Sequence, residues 1–137
     1  MSPGELEAAI EGVAAVPLHR HLGLEIIAVE QGRSRTRLSV GAGSLNNKQV
    51  LHGGVVYALL DATAYLSILP LLDDGENAVT HDLFVSVMRG VSSGEVLELG
   101  GSVLRRGRSL VFAESEARVG NRLVATARVT KSVVRER

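Results

Sequence analysis

One carboxylate stands inside the most apolar stretch of this sequence. From Leu51 to Leu72 the only members of the Asp, Glu, Lys, Arg and His set are His52 and Asp61, and Asp61 sits near the middle. A buried carboxylate is costly unless it is paired or used. Asp61 therefore reads as a chemical centre, with a structural carboxylate facing a polar loop or a second subunit as the plainer alternative. His52-Gly53-Gly54 opens the same stretch. Paired glycines let a ligand approach the backbone, and the first N–H groups of a helix have no intrahelical partner. Such a terminus stabilises negative charge, whether a phosphate or the oxyanion of an acyl transfer. A glycine start that merely lets the helix pack closely on a strand is an even alternative.

The spacing adds a constraint. His52 and Asp61 are nine residues apart, so a continuous helix separates them by roughly 13 Å and puts them on opposite faces. They cannot form a dyad within one chain. If both act on one substrate, the site lies between two subunits, which predicts a homo-oligomer. Other chemistries find less support. The chain has no Cys, which excludes a disulfide framework, a thiol nucleophile and Cys-ligated metal. His19 and His21 lie one residue apart but have no acidic companions, so a loop or surface role is expected and no metal site. Lys+Arg and Asp+Glu number 15 each, which argues against a nucleic-acid partner.

These residues need elements to hold them. Ser2 to Ala15 reads as a helix, with Ser2 as N-cap, Pro3 in the first turn and Leu6, Ile10 and Val13 at helical spacing. Leu24 to Glu30 and Arg33 to Val40 read as strands about a Gln31-Gly32 turn, followed by a polar loop from Gly41 to Leu51. The apolar segment predicts a helix from near Gly53 to near Pro70. Beyond Asp73-Asp74-Gly75 the period becomes two, giving strands over Val79 to Met88, Glu95 to Arg105, Ser109 to Val119 and Leu123 to Val134. Gly120-Asn121 is a strong hairpin signal and Arg106-Gly107 a weaker one. A helix apolar nearly all round must be buried nearly all round. The expectation is an α+β fold in one domain spanning 1–137, a curved antiparallel sheet wrapped around a long central helix. One face of the last two strands, Val111, Ala113, Ser115, Ala117 and Leu123, Ala125, Ala127, Val129, is small enough for close approach. A membrane span is disfavoured by the mid-segment Asp61, by Pro70 and by the acidic flank. The N-terminus lacks a basic start and apolar run, so a cytoplasmic location is expected.

Asn46-Asn47-Lys48-Gln49-Val50-Leu51-His52-Gly53-Gly54, followed by Asp61, resembles the signature of the phenylacetic-acid-degradation type of hotdog thioesterases. That signature is an Asn six before the His, then His-Gly-Gly, then an Asp nine after the His. The likeness extends over nearly the whole chain. Pro17 to Leu24 is similar to the family's approach to its first strand, and Val79 to Leu83 with Met88-Arg89 to its third strand. Leu104 to Leu110 resembles its hairpin, and Leu123 to Ala127 with Thr130 its last strand. The resemblance implies a hotdog fold, a homodimer or dimer of dimers, and hydrolysis of an acyl-CoA thioester with no cofactor beyond the coenzyme A of the substrate.

It also implies roles. Asp61 would be the nucleophile or general base, and the Gly53 N–H of the other subunit would hold the oxyanion, with Gly54 beside it at the substrate. Asn46 and His52 would orient the carbonyl or shape the loop, and Thr80 would help position water. Gln49 departs from the family's usual Gly. His81 is expected to face solvent or pack in its strand. Arg105, Arg106 and Arg108 at one hairpin, and Arg89 elsewhere, are candidate ligands for coenzyme A phosphates, with a solvated turn as the plainer reading of the cluster. Two alternatives stay open: a non-catalytic acyl-CoA-binding protein with a structural Asp61, and an enoyl-CoA hydratase-like enzyme.

Overall fold

The computed structural model describes residues 1–136. Helix α1 spans Pro3–Ala14, started by the Ser2 hydroxyl, which accepts the Glu5 N–H at 3.2 Å. A short α2 follows at Pro17–Leu22, then β1 (Glu25–Glu30), β2 (Arg33–Ser39) and the long α3 (Gly53–Ile68). Strands β3 (Glu76–Val87), β4 (Val96–Arg106), β5 (Leu110–Val119) and β6 (Arg122–Arg135) complete the chain.

All six strands form one antiparallel sheet in the order β1-β2-β4-β5-β6-β3. The hairpins β4–β5 and β5–β6 are local. Strand β3, which leaves α3 first, instead lies along β6 and becomes an edge. Helix α3 packs against the sheet, and Leu59, Leu60, Leu66 and Ile68 are completely buried. The stretch Gly53–Leu71 is long and apolar enough to cross a membrane, but more than half of it is enclosed by the rest of the chain. Here that apolarity serves a core helix.

The sheet comes unusually close to α3 around one turn. A Cβ on Gly101 of β4 would lie 2.6 Å from the Thr63 carbonyl oxygen and 2.8 Å from Ser34 Oγ. Ser34 of β2 donates to that same carbonyl at 2.5 Å, and Ser115 of β5 donates to the Leu60 carbonyl at 2.9 Å. Two hydroxyls from the sheet thus grip the helix backbone on either side of Asp61. The small residues expected to permit close approach do so, and Ser115 also bonds.

Three departures from the sequence expectation exceed a single residue. Pro17 to Leu22 is a helix rather than the lead into a strand: Pro17 starts it, and Gly23, at φ 80°, ends it in the left-handed region. Strand β3 begins at Glu76, three residues before Val79, because Glu76 pairs with Arg135 at the end of β6. Helix α3 ends at Ile68, and Pro70 lies in a following 3-10 turn over Leu69–Leu71.

Candidate active site

Asp61 leaves α3 toward the seam between β3 and β6. Thr80 and Lys131 sit directly opposite each other across that seam. Thr80 Oγ1 donates to the Asp61 carboxylate, 3.0 Å from Oδ1 and 3.1 Å from Oδ2. Lys131 Nζ donates to Asp61 Oδ1 at 2.8 Å and to Thr80 Oγ1 at 2.7 Å. The ammonium also lies 5.3 Å from the centre of the Tyr65 ring, within cation–π range. Only 4% of the Lys131 side chain is exposed, against 31% for Asp61. The pair is a buried cation under a carboxylate that still reaches solvent.

A bulge helps to aim Thr80. The register of β3 on β6 shifts between Thr80 and Asp82, leaving His81 as the extra residue. His81 is exposed, as expected of a residue outside the ladder. Tyr65 closes the floor: its hydroxyl donates to Asn77 Oδ1 at 2.6 Å. Burial raises the Tyr65 phenol above its ordinary range, with the Glu136 carboxylate adding to the effect, so the phenol stays neutral.

The start of α3 is built differently. His52 is the N-cap, its Nδ1 accepting the Gly54 N–H at 2.8 Å, which puts any single ring proton on Nε2. A Cβ on Gly54 would stand 3.0 Å from the His52 ring, so the second glycine makes room for the cap. The Gly53 N–H has no hydrogen-bond partner among the described residues. Asn46 turns the preceding loop: its Oδ1 accepts the N–H of Lys48 at 2.8 Å and of Val50 at 3.3 Å, while Gln49 N–H bonds the Asn46 carbonyl at 3.1 Å. Gln49 itself has φ 62°, the one non-glycine with positive φ among the described residues. The loop keeps a left-handed residue where the resembled family usually has Gly.

One chain therefore brings Asp61 and Thr80 together and gathers Asn46, His52, Gly53 and Gly54 elsewhere. Gly53 and Asp61 are eight residues apart on α3, or about 12 Å along its axis. The arginines also divide. Arg89 is exposed just beyond β3, at the end of the sheet near Leu51 and Val91. Arg105 and Arg108 are exposed at the β4–β5 hairpin, where Ser109 bonds Val133 near Lys131.

Arg106 is engaged within the fold. It is ion-paired with the buried Glu76 and donates to the carbonyls of Leu71 at 3.3 Å and Gly107 at 2.6 Å. Its guanidinium closes a corner of the fold, whereas Arg105 and Arg108 stay open to solvent. Near His19, too, the contact is structural: its Nδ1 donates to the Val13 carbonyl at 2.7 Å.

Lys131 and Tyr65 had no place in the sequence reading. A signal for Lys131 existed: Ala125, Ala127 and Val129 face α3 with period two, and Lys131 is next in that series. A small apolar cavity of about 320 Å³ lies beside the helix start, between Leu18, Leu22, Leu45, His52, Val55 and Ala58. A larger concavity of about 900 Å³ lies over the outward side chains of the sheet, including Arg33, Arg35, Glu116 and Arg128, and is not lined by Asp61, Thr80, His52 or Gly53.

A six-stranded antiparallel sheet packed on one long helix defines the hotdog fold. The profile of the thioesterase superfamily matches residues 48–121, from the His-Gly-Gly loop to the β5–β6 turn, and the chain belongs to that superfamily. A Haemophilus influenzae protein provisionally named an esterase is 30% identical over 115 residues, 83% of each chain. A solved thioesterase from H. influenzae matches with a TM-score of 0.84 at 26% identity, covering 92% of this chain and 88% of that one. A phenylacetic-acid-degradation-related protein from Ralstonia eutropha, provisionally named a thioesterase, matches with a TM-score of 0.81 at 28% identity over 93% and 98% of the two chains. These likenesses bear out the hotdog fold and its phenylacetic-acid-degradation type, and they support thioester hydrolysis as the general activity.

Proposed function

We propose that this protein hydrolyses an acyl-CoA thioester to the free acid and coenzyme A, with Asp61 as base or nucleophile. The observation that carries the reading is the free Gly53 N–H at the start of the same helix that carries Asp61, whose carboxylate Thr80 of β3 holds. An acyl transfer needs both parts: a donor where the oxyanion develops and a carboxylate that attacks or activates water. As a base, Asp61 takes a proton from water while the water oxygen bonds the carbonyl carbon. As a nucleophile, its carboxylate oxygen bonds that carbon, and water later cleaves the anhydride. In both routes the C–S bond breaks and the electron pair leaves with sulfur. Thr80, through its bond to the carboxylate, orients the attacking group. His52 fixes the helix start, and Asn46 shapes the loop before it. Arg89, Arg105 and Arg108 remain exposed and free to meet coenzyme A phosphates.

Because Gly53 and Asp61 are too far apart to share a carbonyl, the working site draws on two copies of the chain. Strand β3 supports this assembly. It is a long edge strand carrying exposed Val79, Phe84 and Val87, with Met88 just beyond it, an arrangement that favours pairing with another edge.

A second reading keeps one specific support. The Lys131 ion pair gives Asp61 a structural partner, as a non-catalytic acyl-CoA-binding protein would need. One substitution separates the two. Asp61→Asn is expected to lower kcat on the best substrate of an acyl-CoA panel by about a thousandfold or more, with the oligomer still folded by sedimentation and circular dichroism. Wild-type turnover in the folded variant defeats the assignment, and an active monomer defeats the shared site.

A further inference from the structure

We infer that Lys131 is a positioning residue that holds Asp61 by one carboxylate oxygen, Oδ1, and thereby makes Oδ2 the reacting atom. The inference rests on the hydrolytic reading of Asp61. Its basis is the distribution of donors. Oδ1 takes the Lys131 ammonium at 2.8 Å and the Thr80 hydroxyl at 3.0 Å, whereas Oδ2 takes only the long arm of that shared hydroxyl, at 3.1 Å. Thr80 has a single O–H, and Lys131 donates to its oxygen at 2.7 Å. That bond uses the hydroxyl as an acceptor, so its one hydrogen is left for Asp61. Oδ2 retains the lone pairs with which a carboxylate takes a proton from water or bonds a carbonyl carbon.

Packing alone does not account for a lysine here. The helix-facing residue before it on β6, Val129, and the one across on β5, Val111, are both apolar and buried. Replacing a buried ion pair by well-packed apolar residues is often neutral or stabilising, so a fold with no use for the charge would be served as well by an aliphatic residue. Lys131 is also withdrawn from substrate: only 4% of its side chain is exposed, and its ammonium donates to Asp61 Oδ1 and Thr80 Oγ1 beside the Tyr65 ring. It acts through Asp61.

Two effects of the cation oppose each other. It stabilises the charged carboxylate before reaction, which slows any step that removes that charge. It also fixes the carboxylate plane, and a misplacement of about 1 Å in a reacting group costs on the order of a hundredfold. The geometric effect is the larger, so loss of Lys131 slows the chemical step.

The test compares kcat and KM for wild type, Lys131→Met, Lys131→Gln and Lys131→Arg on the best substrate of an acyl-CoA panel. Lys131→Met and Lys131→Gln should lose about ten- to a hundredfold in kcat with KM within about threefold. Lys131→Arg, which can still donate to Oδ1, should recover part of that loss. A kcat at or above the wild-type value in folded Lys131→Met or Lys131→Gln overturns the inference, as does a loss confined to KM.

A second measurement needs no activity. In denaturant unfolding, Lys131→Met combined with Asp61→Asn should be less destabilised than the two single changes add up to, by roughly tenfold in the equilibrium constant. Additive effects overturn the inference. A wild type inactive on every thioester while that coupling is present overturns the hydrolytic reading instead.

Discussion

The two parts of α3 proposed to act on the thioester are made by opposite means. At its start the proposed group is backbone: the Gly53 N–H, presented by a loop that Asn46 folds and a cap that His52 supplies. At its centre the proposed group is a side chain, Asp61, held from β3 and β6 by Thr80 and Lys131. The first part needs few particular atoms, since any residue except proline has an N–H, but it needs a particular backbone path. The second needs particular atoms on three elements distant in sequence. A loop can vary in composition and still deliver an N–H, as Gln49 illustrates, whereas the centre depends on the sheet keeping its distance from the helix.

The largest effect expected from breaking that dependence is at Gly101. A methyl group there would meet the Thr63 carbonyl at 2.6 Å, backbone that cannot swing aside. Gly101→Ala must push α3 off the sheet beside the turn that carries Asp61. The cost should be about 1–3 kcal/mol in denaturant unfolding, as for other overpacked cores. Thioester turnover should fall as well, because the Ser34 and Ser115 bonds that set the depth of Asp61 lie in the same contact. Unchanged stability would mean that the helix slides freely, and the centre would then be no more rigid than the start.

How much of this was legible beforehand follows the same division. The start of α3 was readable because its parts are adjacent: Asn46, His52, Gly53 and Gly54 fall within nine residues, and local geometry follows local sequence. Asp61 was readable because a lone acid in an apolar run advertises its cost. Its partners were less so. Thr80 came only through family resemblance, and Lys131 looks like one more polar residue in Thr130-Lys131-Ser132 until the strand's inward face is carried two residues past Val129. The engagement of Arg106 was hidden for the same reason: its partner, Glu76, is 30 residues away. Helix α2 was missed because six residues give too little periodicity, although Pro17 and Gly23 mark both ends. The edge position of β3 has no local signature; it follows from pairing with the last strand.

A comparable effect on stability should come from the corner that begins β3. Glu76 is buried, accepts the Asp73 N–H at 2.8 Å, and is ion-paired with Arg106 and, at 3.3 Å, with Arg135. The Asp73 amide, with the two guanidinium groups adding to it against the cost of burial, holds the Glu76 carboxyl below its ordinary range. A depressed acid contributes stability that is present above the unfolded-state value, about 4.3, and is lost as pH falls through the lower folded-state value. Wild type should therefore lose stability below about pH 4.3 more steeply than Glu76→Gln. At neutral pH the variant should be less stable by about 1–3 kcal/mol. Denaturant midpoints at a series of pH values read both effects. Parallel curves would show that the corner does not hold the strand that carries Thr80.

The smallest effect tests the start of the helix, at Gln49. Its φ of 62° lies in the left-handed region, which costs an L-residue roughly 1–2 kcal/mol and glycine almost nothing. Gln49→Gly removes that strain. It also frees the unfolded chain, at a cost of roughly 0.5–1 kcal/mol. Side-chain packing adds little to the balance, because Gln49 is exposed and its own contribution to the turn is a backbone N–H, bonded to Asn46. The difference leaves Gln49→Gly more stable by about 0.5 kcal/mol, read as a small rise in denaturant midpoint. Turnover should stay within about twofold of wild type, since the N-cap at His52 and the free Gly53 N–H do not depend on the side chain at position 49. A fall in stability would mean that the glutamine side chain makes a bond in the assembled protein. A large change in kcat without one in stability would show that the loop, and not only the helix terminus it introduces, sets the geometry of the oxyanion donor.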